Sequence, residues 1–210
     1  MFNGKDLTGW TKTNPTGNTG KAEVVVDDGQ PALRLTNPFG LLTPTFGNYH
    51  LRLDCKTEPE AGRIHHYYLA DARHLRLHWD KKGKTLDAFI TGNNVTFQIA
   101  ELRGDRIVPI GKTLTDQDHI RFSNFPVLPS GWQRVEILRL DDRFIYVINS
   151  KVVGAVANVR FLNNNQPELP EQSPLELYSL SNQALFRNIE IREINALPPE
   201  ILKNLTGETK

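Results

Sequence analysis

Aromatic, basic and acidic side chains alternate with other residues in three short segments of the chain. The alternating residues form pairs that are two positions apart: His65 and Tyr67, Arg76 and His78, and Glu176 and Tyr178. Because successive residues of a β-strand point to opposite faces of its sheet, the members of each pair share a face if these segments are strands. Sugar recognition requires aromatic faces and planar polar groups on one surface, and these pairs offer both. The sequence therefore predicts a carbohydrate-binding face built from strands.

A further segment adds Thr96 and Gln98, also two positions apart, with Glu101 shortly after them. A glycosidase that uses two catalytic carboxyl groups needs both on one face, and Glu101 and Glu176 are the best candidates. Glu101 shares a face with Gln98 only if a β-bulge lies between them. The predicted substrate-binding residues are Tyr67, Arg76, Thr96, Gln98, Glu101 and Tyr178.

Five of the six histidines lie within residues 50–78, which raises the question of a metal site. His65 and His66 are neighbours on one candidate strand and therefore point to opposite faces. His74 and His78 share a face but lie about 13 Å apart at the rise of a strand, with an arginine between them. The chain also has no glycine-rich phosphate-binding loop. We therefore expect no transition-metal site and no cofactor.

The composition excludes several classes of partner. The formal net charge is +1, so no basic excess favours nucleic acid or an anionic membrane. The longest apolar runs are strand-sized, which predicts no membrane insertion. Cys55 is the single cysteine, so there is no internal disulfide and the redox compartment stays open. The opening motif follows Met1 directly with no signal-peptide pattern, which favours a longer native chain with further domains.

The elements that must position these groups are indicated by a dominant period of two, with turn residues about every ten positions. The predicted strands are residues 22–26, 32–35, 49–56, 64–70, 74–79, 86–91, 95–102, 106–110, 133–140, 144–149, 175–180 and 184–194. Tight turns are predicted at residues 27–29, 81–83, 103–105 and 141–143, and a short helix at residues 200–205. The sequence thus predicts an all-β, two-sheet antiparallel sandwich over residues 1–195, followed by a C-terminal clasp or linker over residues 196–210.

Four segments occur in a recognisable order along nearly the whole chain. They are FNGKDLTGW at residues 2–10, GLLT at 40–43 followed by YHLRL at 49–53, the stretch from GW at 131–132 to YVIN at 146–149, and LFRNIEI at 185–191. Together they are similar to the 3-keto-disaccharide hydrolase family, with GLLT interpreted as a loop that enters a long strand. The resemblance implies a concanavalin A-like jelly-roll fold and a carbohydrate or oxidised sugar as ligand. It also implies a bacterial protein of the periplasm or the cell exterior.

The resemblance further implies a substrate and a reaction. A 3-keto-glycoside has a ketone that acidifies the neighbouring C–H, so one well-placed base could drive elimination of the leaving group. The predicted catalytic residues are His65, His78 and Glu176.

Three segments depart from the patterns of the family. Residues 61–64 stand where relatives have Asn-Ser-Gly-Ile, Thr96 stands where relatives have Glu, and Tyr178 stands where they have Gln. These departures leave two alternatives to the hydrolase open. One is a non-catalytic carbohydrate-binding module with the same face, and the other is a protein-interaction module of a larger surface protein.

Overall fold

The computed structural model of the protein describes residues 2–13, 20–36, 39–57, 64–70, 73–82, 85–93, 95–115, 118, 120–121, 131–164, 166–169, 171–179 and 183–206. Its elements, in chain order, are β1 (Thr11–Thr13), β2 (Lys21–Asp27), β3 (Gln30–Thr36), β4 (Phe39–Phe46), β5 (Tyr49–Thr57), β6 (Ile64–Ala70), β7 (Arg73–Lys82), β8 (Thr85–Asn93), β9 (Val95–Arg103), β10 (Arg106–Leu114), β11 (Ile120–Arg121), β12 (Trp132–Leu140), β13 (Arg143–Ile148), β14 (Lys151–Asn163), β15 (Gln166–Glu168), β16 (Ser173–Ser179), β17 (Gln183–Glu193) and the helix α1 (Pro199–Thr206).

The strands form two antiparallel sheets, which confirms the jelly-roll sandwich predicted from the sequence. In the smaller one, sheet A, the spatial order is β1-β4-β16-β6-β7-β8-β11. In the larger one, sheet B, it is β10-β9-β14-β13-β12-β5-β17-β3-β2, and β15 pairs with β14. Some neighbouring strands follow each other in the chain, but others, such as β16 beside β6 and β17 beside β5, bring together residues that are far apart in sequence.

Apolar side chains from both sheets fill the space between them. Leu41, Leu175 and Leu177 belong to this core from sheet A, and Phe97 and Phe186 belong to it from sheet B. Each of the five is at most 4% exposed. Because side chains alternate between faces, this core identifies the inner face of each strand and therefore the outer face, where a ligand could bind.

The turn predicted at residues 27–29 is confirmed. Asp27 pairs with Gln30 across a two-residue turn in which Asp28 and Gly29 have φ values of 48° and 73°. Positive φ at both central residues is the type I′ geometry that matches the twist of a hairpin. At the turn predicted for residues 81–83, Lys81 and Lys82 belong to β7, and position 83 lies outside the described residues. Residues 61–63, which belong to a segment that differs from the family pattern, also lie outside the described residues.

The sequence prediction misses five strands, the short β1, β11 and β15 and the longer β4 and β14. It treats GLLT as a loop, but these residues belong to β4. The strand contains a glycine and a proline, residue types that are more typical of loops than of strands. The prediction omits β14 altogether, although this strand is 13 residues long. In β14, Val156 lies in the inter-sheet core while Ala157 lies in a second apolar cluster on the other face. A strand buried on both faces loses its alternation, and a bulge after Ala157 shifts the phase of the later residues of the strand.

The C-terminal helix packs on the outer face of sheet B. The helix predicted at residues 200–205 is confirmed as α1, and its first residue, Pro199, suits the first position of a helix because it has no N–H to satisfy. Ile201 and the preceding Leu197 lie in the second apolar cluster with Leu138 and Val147 of sheet B. No helix within the described residues has the length and apolar character needed to cross a membrane.

Candidate functional site

Three adjacent strands of sheet A bring six of the predicted site positions together. β6 lies between β16 and β7, and His65 is opposite Tyr178 on one side and His78 on the other. Two residues further along β6, Tyr67 is opposite Glu176 on one side and Arg76 on the other. Directly opposite residues of an antiparallel pair share a face of the sheet. The register therefore assembles two adjacent rows of three positions on one face.

This face is the outer face of sheet A. Leu175 and Leu177 are buried in the inter-sheet core, so Glu176 and the position after Leu177 lie on the opposite face of β16. The three strands span about 10 Å across, and the two rows are about 7 Å apart along the strands. A patch of this size is comparable to one or two sugar rings, and it carries the aromatic, basic and acidic residue types that the sequence singled out.

Glu176 is enclosed although it lies on an outer face. Its relative exposure is 6%, and its neighbours in the row are Leu42 of β4 and Tyr67 of β6. A carboxyl group in such a position is removed from bulk water but stays next to the surface of the sheet.

Both rows continue onto strands that the sequence reasoning did not include in the site. On the β8 side, Phe89 is opposite His78 and Thr91 is opposite Arg76. On the β4 side, the rows pass through Gly40 and Leu42 and continue to Thr13 and Thr11 of β1. Alternation within residues 86–91 groups Phe89 with Thr91, but only the pairing of β8 with β7 shows which face they share.

Thr96, Gln98 and Glu101 lie in the other sheet, on β9. They therefore do not join the other six positions. The strand beside β6 is β7, which contributes Arg76 and His78. Gln98 lies on the outer face of sheet B, where its side chain donates to the carbonyl of Gly111 at 3.1 Å and accepts from Asn158. Both partners have positive φ, 72° and 54°, so Gln98 links two irregular points of neighbouring strands.

Glu101 is exposed and pairs with Arg103 at 3.2 Å. The register of β9 is regular from Gln98 to Glu101, so no bulge intervenes and the two side chains lie on opposite faces. Glu101 and Glu176, the candidates for two catalytic carboxyl groups on one face, therefore lie in different sheets. The substrate-binding roles of Thr96, Gln98 and Glu101 stay predictions. These three residues lie on a surface other than the outer face of sheet A.

A second cluster of charged groups lies on the outer face of sheet B, beneath α1. His50 is 1% exposed, and its Nε2–H donates to Glu136 Oε2 at 2.6 Å. Arg192 lies 3.0 Å from His50 Nδ1 and also donates to Glu200 of the helix at 2.7 Å. A neutral imidazole that carries its proton on Nε2 satisfies both of its contacts. Sequence reasoning missed this cluster, because its members come from three strands and the helix.

Burial opposes ionisation of the Glu136 carboxyl, but the hydrogen bonds from His50 and Arg52 outweigh it, and the pKa of Glu136 lies below its ordinary value. The cluster fastens sheet B to the helix and is covered by it. Among the side chains that the structure describes, no three His, Cys, Asp or Glu residues are grouped to hold a metal ion.

A cavity of about 300 Å³ lies elsewhere, lined by Asn48, Arg139, Asp141, Leu169 and Glu171. Three of its lining residues hydrogen-bond to one another: the Asp141 N–H donates to Asn48 Oδ1 at 2.6 Å, and Arg139 Nε donates to the Asp141 carbonyl at 3.1 Å. None of the predicted site residues lines it. The outer face of sheet A is therefore the stronger candidate for the functional site.

Comparison with known proteins agrees with the resemblance seen in the sequence. Residues 1–192 match the 3-keto-alpha-glucoside-1,2-lyase-like domain. No curated protein matches the sequence.

Three solved structures with the same fold come from proteins described as acting on or binding carbohydrates. Domain 4 of AbnA, a GH43 extracellular arabinanase from Geobacillus stearothermophilus solved with arabinotriose, has a TM-score of 0.54 and 12% identity, covering 93% of this chain and 87% of its own. A proposed glycosyl hydrolase from Parabacteroides distasonis has a TM-score of 0.52 and 16% identity, covering 92% of each chain. The carbohydrate-binding module CBM66 from Bacillus subtilis has a TM-score of 0.50 and 12% identity, covering 90% of this chain and 98% of its own. At these identities the similarity shows the fold.

Proposed function

Because this chain belongs to the 3-keto-alpha-glucoside-1,2-lyase-like domain family, we propose that the outer face of its sheet A binds a 3-keto-glycoside and removes the leaving group. The family is carbohydrate-active, and such activity needs sugar-binding and proton-transfer groups on one surface. The observation that carries the proposal is the register of β16, β6 and β7. It aligns imidazole, phenol, guanidinium and carboxyl residues in two adjacent rows.

The proposed reaction is an elimination. The ketone at C3 of the sugar acidifies the hydrogen on C2, because removal of that proton leaves an enolate. A base among His65, His78 and Glu176 accepts the proton. The electron pair then forms a double bond between C1 and C2, the C1–O bond breaks, and the departing oxygen takes a proton from an acid on the same face. Water that adds across the new double bond completes a net hydrolysis.

Two further groups of the face suit this reaction. The guanidinium of Arg76 is proposed to lie near the ketone oxygen, where a fixed positive charge stabilises the enolate as it forms. Tyr67 and Tyr178 are proposed to supply the aromatic surface against which the C–H groups of the ring lie. One row of the face thus contains the cation and the other contains both imidazoles, so a ring that spans the rows meets base and cation together.

The test compares a 3-keto-α-glucoside with the same glucoside carrying an ordinary hydroxyl at C3. We expect release of the leaving group from the keto compound alone. Among the single variants His65→Gln, His78→Gln and Glu176→Gln, the one that removes the base should lower kcat by about 10²–10⁴-fold, with a smaller change in KM. As a control, Glu190→Gln, on the exposed outer face of sheet B, should retain full activity.

Unchanged turnover in all three variants would overturn the assignment of this face. Loss of binding in Gln98→Ala, with the three variants unaffected, would move the site to sheet B.

A non-catalytic sugar-binding module is the second candidate. The departures from the family patterns at Thr96 and Tyr178 favour it, because they alter positions that carry the site in relatives. In that case calorimetry will detect binding of the keto sugar or its parent, without release of the leaving group from either.

A further inference from the structure

The four edge strands of the two sheets differ in how well they resist pairing with another strand. An edge strand leaves a row of backbone N–H and C=O groups without a ladder partner, and proteins protect such edges with short strands, prolines or β-bulges. Sheet A ends on β1 and β11, of which the structure describes three and two residues. β10, at one end of sheet B, is interrupted by Pro109, which has no N–H, and by an irregular register between Ile110 and Leu114. These three edges are therefore poor templates for a further strand.

β2, at the other end of sheet B, has none of these three protections. It is a regular strand of seven residues without proline, glycine or a bulge, and no strand in the described part of the chain pairs with its free side. Its hairpin with β3 closes on Asp27 and Gln30, and the closing pair of a two-residue hairpin is hydrogen-bonded. Because backbone groups alternate in direction along a strand, those of Ala22, Val24 and Val26 point to the free side. The side chain of Val26 is also 76% exposed.

Two copies of β2 complement each other in one antiparallel register. When Val24 is opposite Val24 of a second copy, Ala22 is opposite Val26 in both directions, so all three outward-facing residues of each strand find a partner. Their side chains lie on one face and form a continuous apolar stripe across the two copies. The same register places the exposed ammonium of Lys21 opposite the carboxylate of Asp27, and opposite charges at directly facing positions stabilise a strand pair.

The neighbouring registers are less favourable for both the backbone and the charges. A shift of the pairing by two residues in either direction leaves one outward-facing residue of each strand without a partner. One shift places Glu23 opposite Glu23 of the second copy, and the other places it opposite Asp27, so like charges face each other. With Val24 opposite itself, Glu23 is opposite Val25 and retains its ion pairs with Lys21 and Arg34 of its own chain. Backbone pairing and charge therefore select the same register.

We propose that the protein forms a two-fold symmetric dimer through β2, with Val24 at the axis, so that the two copies of sheet B join into one continuous sheet. The partner is a second copy of this chain because the strand complements itself in register and in charge. An antiparallel pair of identical strands closes on itself and leaves no β2 edge for a third copy. Val26 of each copy then packs beside Ala22 of the other. The dimer leaves the outer face of sheet A accessible and does not depend on the proposed function.

Sedimentation of the full chain over a range of concentrations measures the association. We expect a dimer that dissociates on dilution, because one strand pair gives a small interface. Val26→Lys places a charge in the apolar stripe, and Lys21→Glu places two carboxylates opposite each other. Each should weaken dimerisation about ten-fold, since each change acts twice in a symmetric pair. Lys112→Glu, the same change of charge at an exposed position of the edge strand β10, is the matched control and should leave dimerisation unchanged.

Cross-linking through an introduced cysteine tests the register. The proposed pairing places the Cα atoms of the two Val24 residues about 5.5 Å apart, within reach of a disulfide, and those of the two Val25 residues about 8 Å apart, beyond it. Val24→Cys should therefore form a covalent dimer with oxidised glutathione, whereas Val25→Cys should not, and the native Cys55 is buried. A wild-type protein that stays monomeric at all concentrations, equal cross-linking of both variants, or dimerisation unaffected by Val26→Lys and Lys21→Glu would overturn the proposal.

Discussion

At the scale of single residues, the contrast between Glu176 and Glu136 shows two uses of an enclosed carboxyl group. Both are 6% exposed, and each lies on the outer face of its sheet. Glu136 is held by His50 and Arg52, with α1 above it, so its contacts serve the fold. Glu176 belongs to sheet A, in the row that runs through Tyr67 to Arg76. The two carboxyl groups therefore lie in different sheets, and Glu176 is the one that we propose as a candidate base.

Replacing Glu136 by glutamine should destabilise the protein and make its free energy of unfolding depend less on pH in the acidic range. The variant leaves His50 buried beside a weaker acceptor, and we expect a loss of about 2–4 kcal/mol in the free energy of unfolding at pH 7. The Glu136 pKa in the folded protein lies below its ordinary value of 4.5. Its stabilising contribution is therefore complete above that value and is lost as the pH falls through the lower, folded pKa.

Urea unfolding between pH 7 and pH 3 measures both effects. The wild-type protein should lose stability below pH 4.5 more steeply than Glu136→Gln does. Glu190→Gln, on the same face but exposed, serves as control and should stay within about 0.5 kcal/mol of the wild type at pH 7. Parallel pH profiles for the wild type and Glu136→Gln would show that this carboxylate does not contribute through its ionisation.

At the scale of elements, α1 explains why sheet B has an apolar outer face. Leu138, Val147 and Ala157 point away from the inter-sheet core, and Leu197 and Ile201 cover them. Glu200, in the first turn of the helix, reaches Arg192 and lies 3.5 Å from Arg52. Apolar burial and ion pairs thus hold the helix at one place. We interpret the segment after residue 195 as a clasp that closes this face.

Ile201→Ala should therefore cost much of the stability that the clasp provides. Ile201 is 1% exposed, and removal of its side chain from a packed site is expected to cost about 2–4 kcal/mol. Lys203→Ala, at an exposed position of the same helix, should change stability by less than about 0.5 kcal/mol. Thermal and urea unfolding of the two variants make the comparison. Equal stability of both would mean that the helix does not support the sandwich.

At the scale of the whole molecule, both sheets share one apolar core. Cys55 of β5 lies in that core with Leu41 and Leu177 of sheet A. Burial raises the pKa of the Cys55 thiol well above its usual range, and the Asp54 carboxylate raises it further. The thiol is therefore protonated and enclosed, and it is unreactive in the folded protein because only the thiolate attacks electrophiles.

Labelling of Cys55 should therefore report unfolding of the whole molecule. We expect no reaction with a thiol reagent under native conditions, and reaction to begin at the urea concentration where tryptophan fluorescence and circular dichroism change. Because the probes sense different parts of the sandwich, one shared midpoint is expected for a cooperative unit. Labelling at lower urea than the other transitions would show that the sheets separate before the protein unfolds.

The sequence by itself determined the strands that alternate, the hairpin turn at Asp28 and Gly29, the terminal helix and the grouping within each site pair. These features are local: a strand with one buried face shows its period of two, and a tight turn needs residues that accept positive φ. The family resemblance was also readable, because its four segments lie along most of the chain.

Only the tertiary structure decided which strands are neighbours. Glu176 comes beside Tyr67 because β16 is inserted between β4 and β6, whereas Gln98 lies in the other sheet although it is nearer to Tyr67 in sequence. β14 escaped prediction because it is buried on both faces and so has no alternation to detect. Alternation fixes the face of a residue within its own strand. The partner of that strand depends on how two sheets and a helix bury their apolar surfaces together, which no local pattern records.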